Sequence, residues 1–198
     1  MTDYFDSYVE NLKTAAEGSG EIAAAAKQLM LMHQVVSDSA EVVLELGVDR
    51  GQSTRVFLNG LRGGGHLVSV DIRDCKIFSG RSDWSFVQSD SSNIHEVVSQ
   101  APLLLEGIDI IYVDSLHHVD HVRSEIYGWW PLLKPGGLMF FDDISSGPYL
   151  RGARKDSYAT EINNRQINEL IQRIYFANTQ NCDLTFHFGS TGIGVLKK

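Results

Sequence analysis

From residue 41 onward, short and nearly continuous apolar runs alternate with stretches of helical spacing, and this pattern leaves few folds open. The runs are "EVVLELG", "HLVSVDI", "SFVQSD", "IDIIYVD" and "GLMFFDD". Helical candidates lie around residues 52–62, 92–100, 119–133 and 158–177. A strand exposed on one face alternates apolar and polar side chains, whereas a strand covered on both faces is apolar throughout. The runs therefore predict an α/β fold: a Rossmann-like, doubly wound, mostly parallel sheet with helices on both faces. The chain closes with "CDLTFHF", "GSTG" and "IGVLKK". These read as two strands joined antiparallel by a Gly-rich turn, which completes a seven-stranded sheet whose last strand is antiparallel. Ahead of the sheet, "YFDSYVENLKTAAEG" and "EIAAAAKQLMLMHQVV", separated by "GSG", predict extra N-terminal helices.

A chain of 198 residues can bury one sizeable core, so a single domain is expected, with residues 1–40 as a helical cap on residues 41–198. Cys75 and Cys182 show no CxxC spacing, which points to neither a zinc knuckle nor a disulfide framework, and both are expected to be reduced and structural. The net charge of −8 argues against nucleic acid as a partner, because phosphate binding needs clustered Lys and Arg. No apolar run reaches the roughly 18 residues of a membrane span, and no leader resembling a signal peptide precedes the first helix. A cytoplasmic location and no membrane partner are expected.

In doubly wound sheets ligands bind at the carboxyl ends of the strands, so the residue closing each run matters most. Here the closing residues are acidic: Glu45, Asp71, Asp90, Asp114, and the adjacent pair Asp142 and Asp143. Any one of them could be a helix cap. Five endings in succession point instead to one binding edge. The first turn, "ELGVDRGQST", carries Gly47 and Gly51, which permit close approach of backbone to a ligand. It contains neither GxGxxG nor GxxxxGK[ST], which disfavours pyrophosphate. Asp71 stands where a carboxylate can accept from both ribose hydroxyls, favouring a nucleoside without phosphates.

These residues resemble the class I S-adenosylmethionine-dependent methyltransferases over about residues 40–198. More specifically, "VDSLHHVDHVRSEIYGWWPLLKPGGLMFFDD" looks like the metal-dependent O-methyltransferases, the group holding catechol-type and natural-product sugar O-methyltransferases. The resemblance implies a cofactor site of Glu45, Gly47, Gly51, Ser53, Asp71, Asp90, Ser91 and Asp114. It also implies Mg²⁺ or another divalent cation on Asp114, Asp142 and Asp143. Oxygen-only ligands suit a hard cation, and adjacent carboxylates tolerate each other when a dication sits between them. The reaction implied is methyl transfer to a hydroxyl of a small hydroxylated acceptor, a sugar, diol or catechol.

The group's general base does not carry over directly. Catechol-type relatives place Lys three residues after the strand-four Asp, where this chain has His117; sugar-type relatives often place Asp two residues after it, where this chain has Leu116. His117 can take a proton near neutrality and is read as the base, with Asp114 beside it. The other reading is that His117 caps the next helix or packs over the cofactor. His117 and His121, spaced i and i+4, also suggest zinc, but no HExxH pattern is present. His33, His66, His95 and His187 stand isolated. Ser53 and Thr54 either cap the first core helix or reach the methionine carboxylate, Trp84 is placed near the adenine end, and Trp129 and Trp130 belong to the core.

"SSGPYLRGARKDSY" reads as a lid in which Arg151, Arg154 and Lys155 contact an acidic acceptor or simply face solvent. The N-terminal helices either cover the pocket or build a homodimer. Two other classes compete with the methyltransferase: a protein that binds S-adenosylmethionine without transfer, and a metal-dependent hydroxylase-like or hydrolytic enzyme.

Overall fold

The structure, a computed structural model, describes residues 4–61, 64–152 and 158–198. Two helices come first, α1 (Tyr4–Ala16) and α2 (Gly20–Ser39). The alternating region then follows in the order β1 (Val42–Leu46), α3 (Gln52–Gly60), β2 (His66–Asp71), β3 (Trp84–Gln88), α4 (Ile94–Gln100), β4 (Ile108–Val113), α5 (Val119–Trp129) and β5 (Leu133–Phe141). A short α6 (Gly147–Leu150) and the long α7 (Tyr158–Ala177) lead to β6 (Asp183–His187) and β7 (Ile193–Lys197).

The seven strands lie in the order β3-β2-β1-β4-β5-β7-β6. The first five are parallel, while β7 runs antiparallel to both β5 and β6. The order reverses between β1 and β4, which opens a crevice at their carboxyl ends. Both expectations hold, the parallel sheet and the antiparallel closing strand.

Side-chain alternation splits the core in two. Leu44, Leu46, Ile111, Val113, Met139 and Phe141 point to a layer built with α4, α5 and α7. Val43, Ile110, Tyr112 and Phe140 point the other way, to a layer that includes Phe5 of α1, Met32 and Val36 of α2, and Phe57 of α3. The N-terminal helices thus share the core of the sheet. Each fully buried Leu, Phe or Met contributes on the order of 1.5–3 kcal/mol. No described helix is long and apolar enough to cross a membrane. Cys75 and Cys182 are free and buried.

Candidate active site

The turn after β1 depends on Gly47. Its φ of +97° lies in the left-handed region, and a Cβ there would sit 2.0 Å from the carbonyl oxygen of Asp114. The backbones leaving β1 and β4 can therefore touch only through a glycine. Gly51, at φ +68°, ends the turn as the N-cap of α3, with the Ile77 side chain standing where a Cβ would sit. Gly47→Ala is expected to lower stability by about 2 kcal/mol or more, from backbone strain plus the clash. Gly136→Ala, with positive φ but open space around it, should cost less. Thermal unfolding of the two variants checks the difference.

Beneath this turn lies Glu45, fully buried. Its carboxylate accepts hydrogen bonds from Ser53 (2.6 Å), Thr54 (2.8 Å) and Ser69 (2.5 Å). Burial pushes its pKa up to about 7 against the lowering effect of those hydroxyls. These bonds fix where Glu45, Ser53 and Thr54 stand. Glu45 lines neither cavity described below and instead fastens α3 to the sheet. The Thr54 and Ser53 hydroxyls donate to Glu45 and do not cap α3, and Ser53 also borders a cavity.

Two cavities open at the crevice. The larger, about 500 Å³, is bordered by Gly47, Asp71, Asp90, Ser91 and Asp114. These are five of the eight residues expected to hold a cofactor. Both Asp71 carboxylate oxygens face backbone amides: Oδ2 accepts from Val48 and Asp49, and Oδ1 from Arg73. Burial raises the Asp71 pKa, but those amides and the Arg73 guanidinium outweigh it and hold the carboxyl below its usual range. Asp90 accepts from the amide and hydroxyl of Ser92, which keeps it ionised. Trp84 is corrected here. It opens β3, paired with Leu67 at the amino end of the sheet, and its indole donates to Ser69, away from this cavity.

The smaller cavity, about 300 Å³, is bordered by Asp114, Asp142 and Asp143 together with Gln28, Leu29 and Met32 of α2. The α2 helix therefore covers the site, one of the two roles expected for the N-terminal helices. Asp49, Asp143 and Ser190 all have positive φ, at 45°, 55° and 47°, and all three border this cavity. Among the described residues they are the non-glycine residues in that conformation. Such strain concentrates where function holds a backbone in an unfavourable shape.

His117, on the border of the larger cavity, lies between two carboxylates. Its Nε2 is 3.0 Å from Asp114 Oδ1 and its Nδ1 2.9 Å from Asp143 Oδ2. Both nitrogens face acceptors, so the ring is an imidazolium. Burial lowers its pKa, but the two carboxylates override this and raise it to about 10. Burial and the charges of Asp114 and Asp143 push Asp142 up to about 8, and burial also raises Asp114. Tyr112, missed from sequence, places its hydroxyl 2.8 Å from Asp142 Oδ2 and 3.2 Å from Asp114 Oδ2. Its signal was the alternation in "IDIIYVD", which turns Tyr112 to the α2 and α3 side two residues before Asp114.

His117 does not cap α5, because His118 occupies the N-cap. The paired-histidine zinc reading also fails. His117 precedes the helix, and His121 turns instead to Glu125 and Ser91. Among the described residues no three His, Cys, Asp or Glu side chains close on one point as a metal's ligands would. The donor set nevertheless fits a hard dication: three carboxylates offering only oxygen, with His117 standing between two of them.

These shifts fix the pH dependence of the metal-free protein. An acid whose pKa is raised by folding keeps a proton that the unfolded chain has released, so stability falls as pH climbs between the two values. For Glu45 the window runs from 4.5 to about 7, and for Asp142 from 3.8 to about 8. His117, raised from 6.5 to about 10, stabilises fully below the lower value and loses that contribution through the upper one. All three act in one direction. Melting of the metal-free protein is expected at steadily lower temperature from about pH 5 to about pH 9, and Asp142→Asn should flatten the slope.

Residues 44–144, about half of the chain, match a family described as a methyltransferase domain. The chain belongs to this methyltransferase family. No curated protein matches it in sequence. Among solved structures, the SAH-bound methyltransferase PaMTH1 of Podospora anserina is 13% identical with a TM-score of 0.65, over 99% of this chain and 88% of that one. An O-methyltransferase from Bacillus cereus in complex with SAH is 19% identical with a TM-score of 0.60, over 98% and 91%. MycE, from mycinamycin biosynthesis, in complex with Mg, SAH and mycinamycin VI, is 20% identical with a TM-score of 0.58, over 85% of this chain. This methyltransferase spans 47% of the MycE chain it matches. At these identities the likeness establishes the shared fold, a Rossmann-like methyltransferase fold.

The described part of the expected lid is tethered. The Ser145 amide donates to Thr191, and its carbonyl accepts from Asn164. Arg151 follows α6 and is exposed. Arg154 and Lys155 lie outside the described residues.

Proposed function

We propose that this methyltransferase is an S-adenosylmethionine-dependent, divalent-metal-dependent O-methyltransferase acting on a hydroxyl of a small sugar, diol or catechol-like molecule. The observation that carries the reading is the junction of the two cavities: Val48, Asp49 and Asp114 border both. A donor in the larger cavity and an acceptor in the smaller one would meet at Asp114. The volumes suit a nucleoside-sized donor and a smaller acceptor. The MycE structure, which holds Mg and SAH on this fold, supports the same pair here.

Asp71 and the turn at Gly47 would hold the donor's ribose, keeping its reactive end at the junction. A hard dication such as Mg²⁺ on Asp114, Asp142 and Asp143 would supply positive charge that lowers the pKa of an acceptor hydroxyl. With those carboxylates neutralised, His117 would be released as the imidazole that accepts the hydroxyl proton. Gln28 and Thr191 offer polar contacts to the acceptor, and Leu29 and Met32 offer an apolar face. Closing the site from water and aligning the two reactants supplies the rest of the rate enhancement.

The test is product formation from S-adenosylmethionine with a panel of vicinal diols and catechols, read by mass spectrometry, with and without chelator. Methylated product that vanishes with chelator supports the reading. Product formed equally well with chelator overturns the metal, and a panel that yields only donor hydrolysis overturns the transfer to hydroxyls.

A further inference from the structure

We infer that Glu125, buried in α5, is a positioning residue that sets the hydrogen-bond polarity of the base-recognition wall and so selects a 6-amino purine. The inference rests on the reading of the larger cavity as the donor site. Glu125 is fully buried, and its Oε1 accepts from the hydroxyls of Ser91 (2.5 Å) and Ser115 (2.6 Å). His121 Nε2 lies 3.2 Å from the same oxygen and 3.0 Å from Ser91 Oγ. Ser91, Ser115 and His121 all border the larger cavity. They come from three places, the loops after β3 and β4 and the first turns of α5, and one carboxylate oxygen joins them.

Stability does not explain this carboxylate. Its other oxygen, Oε2, is buried with no hydrogen-bond partner among the described residues. An orphaned buried oxygen is destabilising, and an apolar side chain of similar volume would pack there without that penalty. What Glu125 does achieve is directional. A hydroxyl has one proton and two lone pairs. Both Ser91 and Ser115 give their proton inward to Glu125, so toward the cavity each can only accept. Asp114 marks the junction where the methyl group must lie and Asp71 suits the ribose, which leaves this wall for the base. Two obligate acceptors favour an exocyclic amine, which donates. A carbonyl in its place would face lone pair against lone pair.

The experiment is calorimetric titration of S-adenosylhomocysteine and of S-inosylhomocysteine, which carries a carbonyl in place of the amine, into wild type, Glu125→Gln and Ser115→Ala. The Gln amide can itself donate, so the two hydroxyls are no longer obliged to point their protons inward. Wild type should prefer the amino ligand by roughly 10- to 100-fold, the scale of one mismatched buried hydrogen bond. Glu125→Gln should reduce that preference to within about threefold, and Ser115→Ala should reduce it in part. General loosening of the fold would weaken both ligands alike and leave their ratio intact, so an unchanged ratio in both variants overturns the inference. If Glu125→Gln does not fold, the ratio in Ser115→Ala decides alone. A wild type that binds neither ligand overturns the donor-site reading and this inference with it.

Discussion

Replacing Asp142 and Asp143 together by asparagine is expected to reduce methyl transfer at least about 10³-fold while leaving donor binding within a few-fold of wild type. Asparagine keeps the shape and one oxygen of each side chain but removes both charges, so a dication loses most of its attraction to the site. On the proposed reading the donor's contacts would lie elsewhere, on Gly47, Asp71 and the wall of the larger cavity, and of the three carboxylates only Asp114 is shared between the cavities. The double variant should also melt at a higher temperature than metal-free wild type at pH 8. Burial and the charges of Asp114 and Asp143 hold Asp142 in a costly state there, and the substitution removes that cost. A gain in stability joined to a loss of turnover is the signature of charge retained for function. Steady-state assays and melts on one preparation read both. Full activity in the double variant would make the pair structural.

The second large effect is expected at His117. His117→Ala should lower kcat by roughly 10²- to 10⁴-fold, the usual contribution of a positioned base, with little change in donor KM. The ring is held between Asp114 and Asp143, which raise its pKa to about 10. On the proposed reading the base would become competent when another cation takes over those carboxylates. Removing the ring also removes a competing cation, so Mg²⁺ should bind His117→Ala at least as tightly as wild type. Lost turnover with retained metal separates a base from a ligand. Near-normal turnover at saturating donor and metal would exclude His117 from proton transfer.

Most of the sheet was legible because burial on both faces writes itself locally, as unbroken runs such as "IDIIYVD", and the acidic closing residues fall at the edge where such sheets bind ligands. Asp71, Asp90, Ser91, Asp114, Asp142 and Asp143 accordingly border the two cavities. What was not legible is non-local. The role of Glu45 depends on Ser53, Thr54 and Ser69 folding back over it, and an acid near a strand end looks the same whether it meets a ligand or three hydroxyls. The Gln28 amide, which donates to the Gly189 carbonyl 161 positions away, places α2 over the smaller cavity, a contact that no periodicity encodes. Glu125 lies on a helix whose spacing predicts only a polar position. Its burial follows from the approach of Ser91 and Ser115 from two separate strands.

The most direct measurement is calorimetry: S-adenosylhomocysteine titrated into the purified protein, then Mg²⁺ into that complex, for wild type and for Asp142→Asn with Asp143→Asn. Donor heat in both proteins, with Mg²⁺ heat in wild type alone, is the predicted result. Donor binding without any metal response in wild type would contradict the metal-dependent account, and no donor binding at all would contradict the assignment of the larger cavity.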